Sequence, residues 1–100
     1  MALNKADFLE KLKQQFDDLN TKWNLERHKF EEIAQHATAE GLKKLEKERE
    51  EFRKLRAQMK EKIIDLEVAS ENAWEDVKAK SEDSWIALSE SFKKAVSRFK

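Results

Sequence analysis

The chain has 100 residues, of which 42% are charged and 39% apolar, and its 21 Lys and Arg balance its 21 Asp and Glu. This neutrality excludes a strongly basic nucleic-acid-binding protein and an acidic tail protein. With no Cys, no Pro and one Gly, disulfides, thiolate metal sites, turn-rich β folds and Gly-rich phosphate loops are excluded as well.

The first third of the chain repeats apolar residues at helical spacing. One row, with members seven residues apart, comprises Leu9, Phe16, Trp23, Phe30 and Ala37, and a second comprises Leu12, Leu19 and Ile33. This a/d pattern predicts a helix over about 4–37, and only Glu26 interrupts its apolar seam. Asn4 is the expected N-cap, with Asp7 three residues further along.

A turn is predicted at about 37–42. Its signal is Gly41, the only Gly in the chain, which can take a positive φ at a helix C-terminus. The residues after Gly41 are polar and favour a helix, so a second helix is expected from about residue 42.

The second half of the chain repeats every eleven residues instead of every seven. Its rows are Phe52, Ile63, Trp74, Trp85 and Val96; Leu55, Leu66, Val77, Leu88 and Phe99; and Met59, Ser70, Ser81 and Phe92. Eleven residues in three turns is close to the period of a straight helix. Because the rows keep their phase, the pattern favours one continuous helix over about 42–99.

A break near residues 69–72 is the alternative. Ser70 is a potential N-cap, residues 71–90 carry six acids and two lysines, and residues 91–100 carry four bases and no acid. That distribution suits the dipole of a separate third helix. The sequence therefore predicts a single all-α domain over 1–100, either a long antiparallel helical hairpin (coiled coil) assembling into a bundle or a three-helix bundle.

The hairpin would leave an apolar stripe beyond about residue 78 without an intrachain partner. The predicted interaction stripe comprises Trp74, Val77, Trp85, Leu88, Phe92, Val96 and Phe99. Because large exposed apolar patches usually mark interaction surfaces, a homo-oligomer is expected, with a dimer favoured. A three-helix bundle would fold the same stripe inside. A weaker stripe, formed by Ala57, Ile64, Val68, Ala79 and Ile86, could face a third helix or a neighbouring chain.

The carboxy-terminal third resembles a family of small bacterial coiled-coil proteins described as stress-response proteins. The resemblance rests on Ala73-Trp74-Glu75-Asp76-Val77-Lys78, Ser84-Trp85, Ser91-Phe92, Ala95 and Ser97-Arg98-Phe99, with Trp23-Asn24 as a weaker match. It implies an all-helical, stress-associated protein and transfers no catalytic or binding residue. Glu71-Asn72 departs from the Ser-Gly-Asp-like stretch expected there, which favours a continuous helix.

No residue pattern predicts catalysis, a cofactor or a metal site. His28, Glu32 and His36 form a loose column four residues apart, but they lie away from the apolar seam and are expected to be solvated. A basic stretch comprises Arg49, Arg53, Lys54, Arg56, Lys60 and Lys62, and Glu46, Glu48, Glu50, Glu51 and Glu61 are interleaved with it. Mixed signs are typical of a solvated helix and disfavour nucleic-acid binding.

These features favour a non-enzymatic structural or interaction protein that acts through self-association or a protein partner. A peripheral lipid-binding helix protein is the alternative, because basic residues accompany the aromatic stripe at Lys93, Lys94, Arg98 and Lys100. The sequence lacks the apolar core of a signal peptide and the length of apolar run that a spanning helix needs, so a cytoplasmic location is expected.

Overall fold

The computed structural model describes residues 4–97, which form three helices: α1 (Lys5–His36), α2 (Ala39–Val68) and α3 (Trp74–Ser97). The Cα atoms extend over 52 × 20 × 19 Å. Since the 32 residues of α1 span about 48 Å at the usual helical rise, the long dimension is the length of one helix. The helices therefore lie side by side in an up-down-up bundle, which confirms the all-helical fold class.

The N-terminus of α1 lies where the sequence predicts it. The backbone N–H of Asp7 donates to Asn4 Oδ1 at 2.8 Å, so Asn4 is the N-cap. The predicted seam faces the core: its fully buried members are Leu12, Leu19, Trp23 and Phe30, and the others pack against them. Glu26 occupies a half-buried seam position and pairs with Lys29 at 3.6 Å.

The predicted role of Gly41 as a helix C-terminus is wrong. The turn is only Ala37 and Thr38, and Gly41 lies in the first turn of α2 without a positive φ. Thr38 is the N-cap of α2, and its Oγ1 accepts the backbone N–H of Gly41 at 3.1 Å. A Cβ on residue 41 would lie 3.2 Å from that oxygen, so glycine leaves room for the capping hydroxyl.

The favoured continuous helix over 42–99 is also wrong, and the alternative break is present. α2 ends at Val68, and the N–H groups of Ala73 and Trp74 both donate to the carbonyl of Ser70, at 3.1 and 3.0 Å. The absence of a Ser-Gly-Asp-like stretch at Glu71-Asn72 therefore does not keep the helix continuous. The eleven-residue rows keep their phase through the turn because both helices face the same core.

Folding α3 back packs the described members of the predicted interaction stripe in or against the core of the same chain. Trp74 and Leu88 are buried in the core of this single chain. Val77, Trp85, Phe92 and Val96 are half-buried and pack against that core, and Phe99 lies outside the described residues, as do Arg98 and Lys100. Burying an apolar side chain contributes about 1.5–3 kcal/mol, which favours the break over helix continuity.

Side-chain size decides how closely the helices approach. α3 presents the small buried residues Ser81, Ser91 and Ala95, and α2 and α3 pack closely. α1 lies further from both partners, and large rings fill the space between them. The rings of Trp23 and Phe52 are 4.4 Å apart between centroids, and Phe92 of α3 lies 5.8 Å from Phe52. One aromatic layer thus joins all three helices.

The C-terminus of α2 is capped by another helix. α2 has no basic residue in its last turn, although a helix C-terminus favours positive charge. Lys5 of α1 supplies it, because its Nζ donates to the carbonyls of Glu67, at 3.1 Å, and of Ala69. Lys13 Nζ also pairs with the Glu67 carboxylate at 2.8 Å, so two lysines in the first part of α1 contact the C-terminal end of α2.

Replacing the seam carboxylate by an apolar residue should stabilise the bundle. Glu26→Leu completes the apolar row of α1 at a half-buried position and loses only a weak i,i+3 ion pair. We expect a gain of about 1 kcal/mol, or a rise of about 4–8 °C in Tm by circular dichroism. Glu10→Leu, at an exposed position of α1, is the matched control and should stay within about 0.5 kcal/mol. An unchanged or lower Tm for Glu26→Leu alone would contradict the seam assignment.

Candidate functional site

The polar residues considered for metal binding do not form a site. His28, Glu32 and His36 are all exposed on α1. Within residues 4–97, no group of three or more His, Cys, Asp or Glu side chains is placed to hold a metal ion. The described members of the predicted interaction stripe pack in or against the core, and Trp85 and Phe92 also line a cavity between α3 and α1.

A groove between α1 and α2 gathers positive charge. Two neighbouring cavities of about 420 and 570 Å³ share Asn24, Arg53 and Arg56 in their walls and so form one open channel. We call this channel the basic groove, and its cationic residues are Arg27, Arg49, Arg53, Arg56 and Lys60. Its one carboxylate is Glu31, on the α1 side. Five cations therefore face one acid, in a chain without net charge.

Helical geometry sorts charges that are interleaved along the sequence. The α2 cations lie at 49, 53, 56 and 60, the i, i+4, i+7, i+11 spacing of one helix face. The acids interleaved with them do not line either cavity. Glu48 is buried in the bundle, and Glu50 lies 3.9 Å from Arg53 as an exposed pair of little strength. One face of α2 is therefore basic although the charges along the sequence are mixed, and the i, i+4, i+7, i+11 spacing of the cations is the sequence signal for this face.

The α1 wall of the groove follows the same helical spacing. Asn20, Asn24, Arg27 and Glu31 lie at i, i+4, i+7 and i+11, so two amides and one guanidinium face the α2 cations. Every polar group of the groove stands on a helix rather than on a loop. The spacing of the groups is therefore set by two packed backbones and needs little ordering when a ligand binds.

Aromatic rings under the groove support its arginines. The guanidinium carbon of Arg49 lies 4.8 Å from the centroid of Phe30, and that of Arg56 lies 5.9 Å from Phe52. Such cation–π contacts hold the long side chains against the core. Among the described residues, Arg49 Nε is buried without a hydrogen-bond partner. A buried guanidinium N–H without an acceptor costs stability.

The side chains of the basic groove are chemically suited to anions. Guanidinium groups present a planar fork of N–H donors that matches the oxygens of phosphates and carboxylates. The amides of Asn20 and Asn24 add neutral donors beside them. The cavities are open to solvent, so an extended anion can reach these donors.

Comparison with protein-family models, with curated proteins and with solved structures finds no match to this chain. Between residues 4 and 97, no helix combines the length and apolar character needed to cross a membrane. The basic groove is therefore the feature from which a function can be proposed.

Because its Nε is buried without a hydrogen-bond partner, Arg49 is expected to destabilise the folded protein. Arg49→Met keeps a flexible apolar stem against Phe30 and removes the buried N–H, whose unmet hydrogen bond costs about 1–3 kcal/mol. The lost cation–π contact offsets about 0.5–1 kcal/mol of this gain. We expect Tm in thermal denaturation to hold or rise by a few degrees while affinity for anions falls. A clearly lower Tm would mean that Arg49 is retained for the fold.

Proposed function

We propose that this protein is a non-enzymatic interaction protein and that the basic groove binds its anionic partner. The observation that carries the proposal is the set of five cationic side chains facing one carboxylate between α1 and α2. Support also comes from the placement of these groups on two packed helices. The protein would act as a stable scaffold for one charged surface.

The zero net charge of the chain is compatible with this proposal. At physiological ionic strength, the Debye length is about 8 Å, so charges on opposite sides of a helix bundle are largely screened from one another. A ligand in the groove therefore responds to the local excess of cations. The acids on the outer faces of α2 keep the rest of the protein from binding anions without specificity.

Self-association through the predicted interaction stripe stays a prediction, since Trp85 and Phe92 are only half-buried within the single chain. The second apolar stripe, namely Ala57, Ile64, Val68, Ala79 and Ile86, is exposed along its length. The turn at 69–73 divides it between two helices, and singly exposed aliphatic residues are ordinary on monomers. Solution mass over a concentration series checks the expected dimer. The lipid-surface alternative and the stress association implied by the family resemblance likewise stay predictions.

Neutralising two exposed groove cations should weaken polyanion binding. Arg27→Gln with Arg53→Gln removes two charges from exposed groove positions, and Gln favours a helix about as well as Arg. On immobilised heparin, a general polyanion, we expect this double variant to elute at clearly lower salt than the wild type. Circular dichroism should give the same Tm for both.

The matched control changes the same charge on the same bundle outside the groove. Lys47→Gln with Lys54→Gln alters two exposed α2 residues that line neither cavity of the groove. Its elution should stay close to that of the wild type. Equal shifts for the two double variants would contradict the proposal, because binding would then follow total charge. So would a wild type that does not bind heparin at low salt.

A further inference from the structure

The cations of the basic groove form a line rather than a cluster. On α2, Arg49, Arg53, Arg56 and Lys60 follow one another at intervals of three or four residues. With a rise of 1.5 Å per residue, the row extends over about 16 Å. A single compact anion would meet only one or two of these groups. A chain that carries a negative charge at regular short intervals would meet all of them.

Carboxylates lie at both ends of the row of cations and limit its excess of positive charge. Glu31 lies at the end of the groove that holds Arg27 and Arg49. Beyond Lys60, the next cavity is lined by Lys13, Asp17 and Glu67, where Lys13 and Glu67 already pair at 2.8 Å. The excess of positive charge is therefore limited to a short segment, which suits a few consecutive charges of a flexible chain.

The groove offers a nucleobase little aromatic surface, because only Phe16, near the Lys60 end, is half-buried among the described rings that line or underlie it. Trp23 is 4% exposed and Phe30 is 3% exposed. The Trp23 ring lies against Phe52 at 4.4 Å, and the guanidinium of Arg49 covers Phe30 at 4.8 Å. Single-stranded nucleic acids gain about 1–3 kcal/mol per base from stacking on successive aromatic rings, and one half-buried ring does not offer that gain along the row of cations. Its donors favour phosphates that carry no bases.

We propose that the ligand of the basic groove is a linear polyphosphate chain, bound through consecutive phosphates by Arg27, Arg49, Arg53, Arg56 and Lys60. This inference rests on the proposed function, because it names the chemical class of the anionic partner. The arginine forks take the non-bridging oxygens of neighbouring phosphates, and the amides of Asn20 and Asn24 donate from the opposite wall. Affinity then comes from charge and hydrogen bonds along a narrow chain.

Isothermal titration calorimetry with three probes tests the inference. The probes are medium-chain sodium polyphosphate, an oligothymidylate with the same number of phosphates, and orthophosphate. We expect polyphosphate to bind at least about tenfold more tightly than oligothymidylate, and orthophosphate to show no binding at the same phosphate concentration. For five neutralised charges, log K should fall with log salt at a slope of about −4.

The groove variants assign the binding to the basic groove. In the Arg27→Gln, Arg53→Gln variant, polyphosphate affinity should fall and the salt slope should shrink by about 1.5. The Lys47→Gln, Lys54→Gln variant should match the wild type in both measures. Circular dichroism checks that each variant keeps the wild-type helical content and Tm.

The outcomes separate the two proposals. Oligothymidylate binding that equals or exceeds polyphosphate binding, with loss in the groove variant, would overturn the polyphosphate inference and leave anion binding at the groove standing. Polyphosphate binding that survives unchanged in the groove variant would overturn the inference together with the proposed function. A wild type that binds none of the polyanions would also overturn both.

Discussion

The burial of the apolar face of α3 is the constraint on which the rest of this structure depends. Leu88 is fully buried, and Trp74, Trp85 and Phe92 lie against the core. A straight continuation of α2 would leave these side chains in water. The chain instead turns at 69–73, and the free carbonyls at the end of α2 then need a partner, which Lys5 supplies from α1.

The same packing creates the groove. Small residues such as Ser81 and Ala95 let α3 approach α2 closely, whereas Trp23 and Phe52 fill the space between α1 and α2. A channel remains above those rings, and the helix faces that border it carry the cations. Arg49 reaches over Phe30 at a cost to its own hydrogen bonding. Such a cost is common where a side chain serves binding more than folding.

Sequence periodicity predicts the helices well where one face alone decides the pattern. The a/d seam and the Asn4 cap of α1 are confirmed because local spacing and capping determine them. The sequence predicts the break at 69–73 only as the alternative, because the helices on both sides face one core and their apolar rows keep the same phase. The prediction for Gly41 is wrong because Thr38 caps the following helix. The groove is not evident in the linear sequence because its cations alternate with acids along the chain and separate from them only around the helix.

The return of α3 along α2 is tested most directly by a distance between exposed residues near their far ends. The chain has no Cys, so Lys43→Cys with Lys94→Cys gives two unique sites for spin labels. Pulsed electron paramagnetic resonance, on labelled protein diluted with unlabelled protein, should give a distance between the two spin labels comparable to the 20 Å width of the bundle. A continuous helix would hold the two backbone positions about 77 Å apart, and that result would contradict the three-helix account.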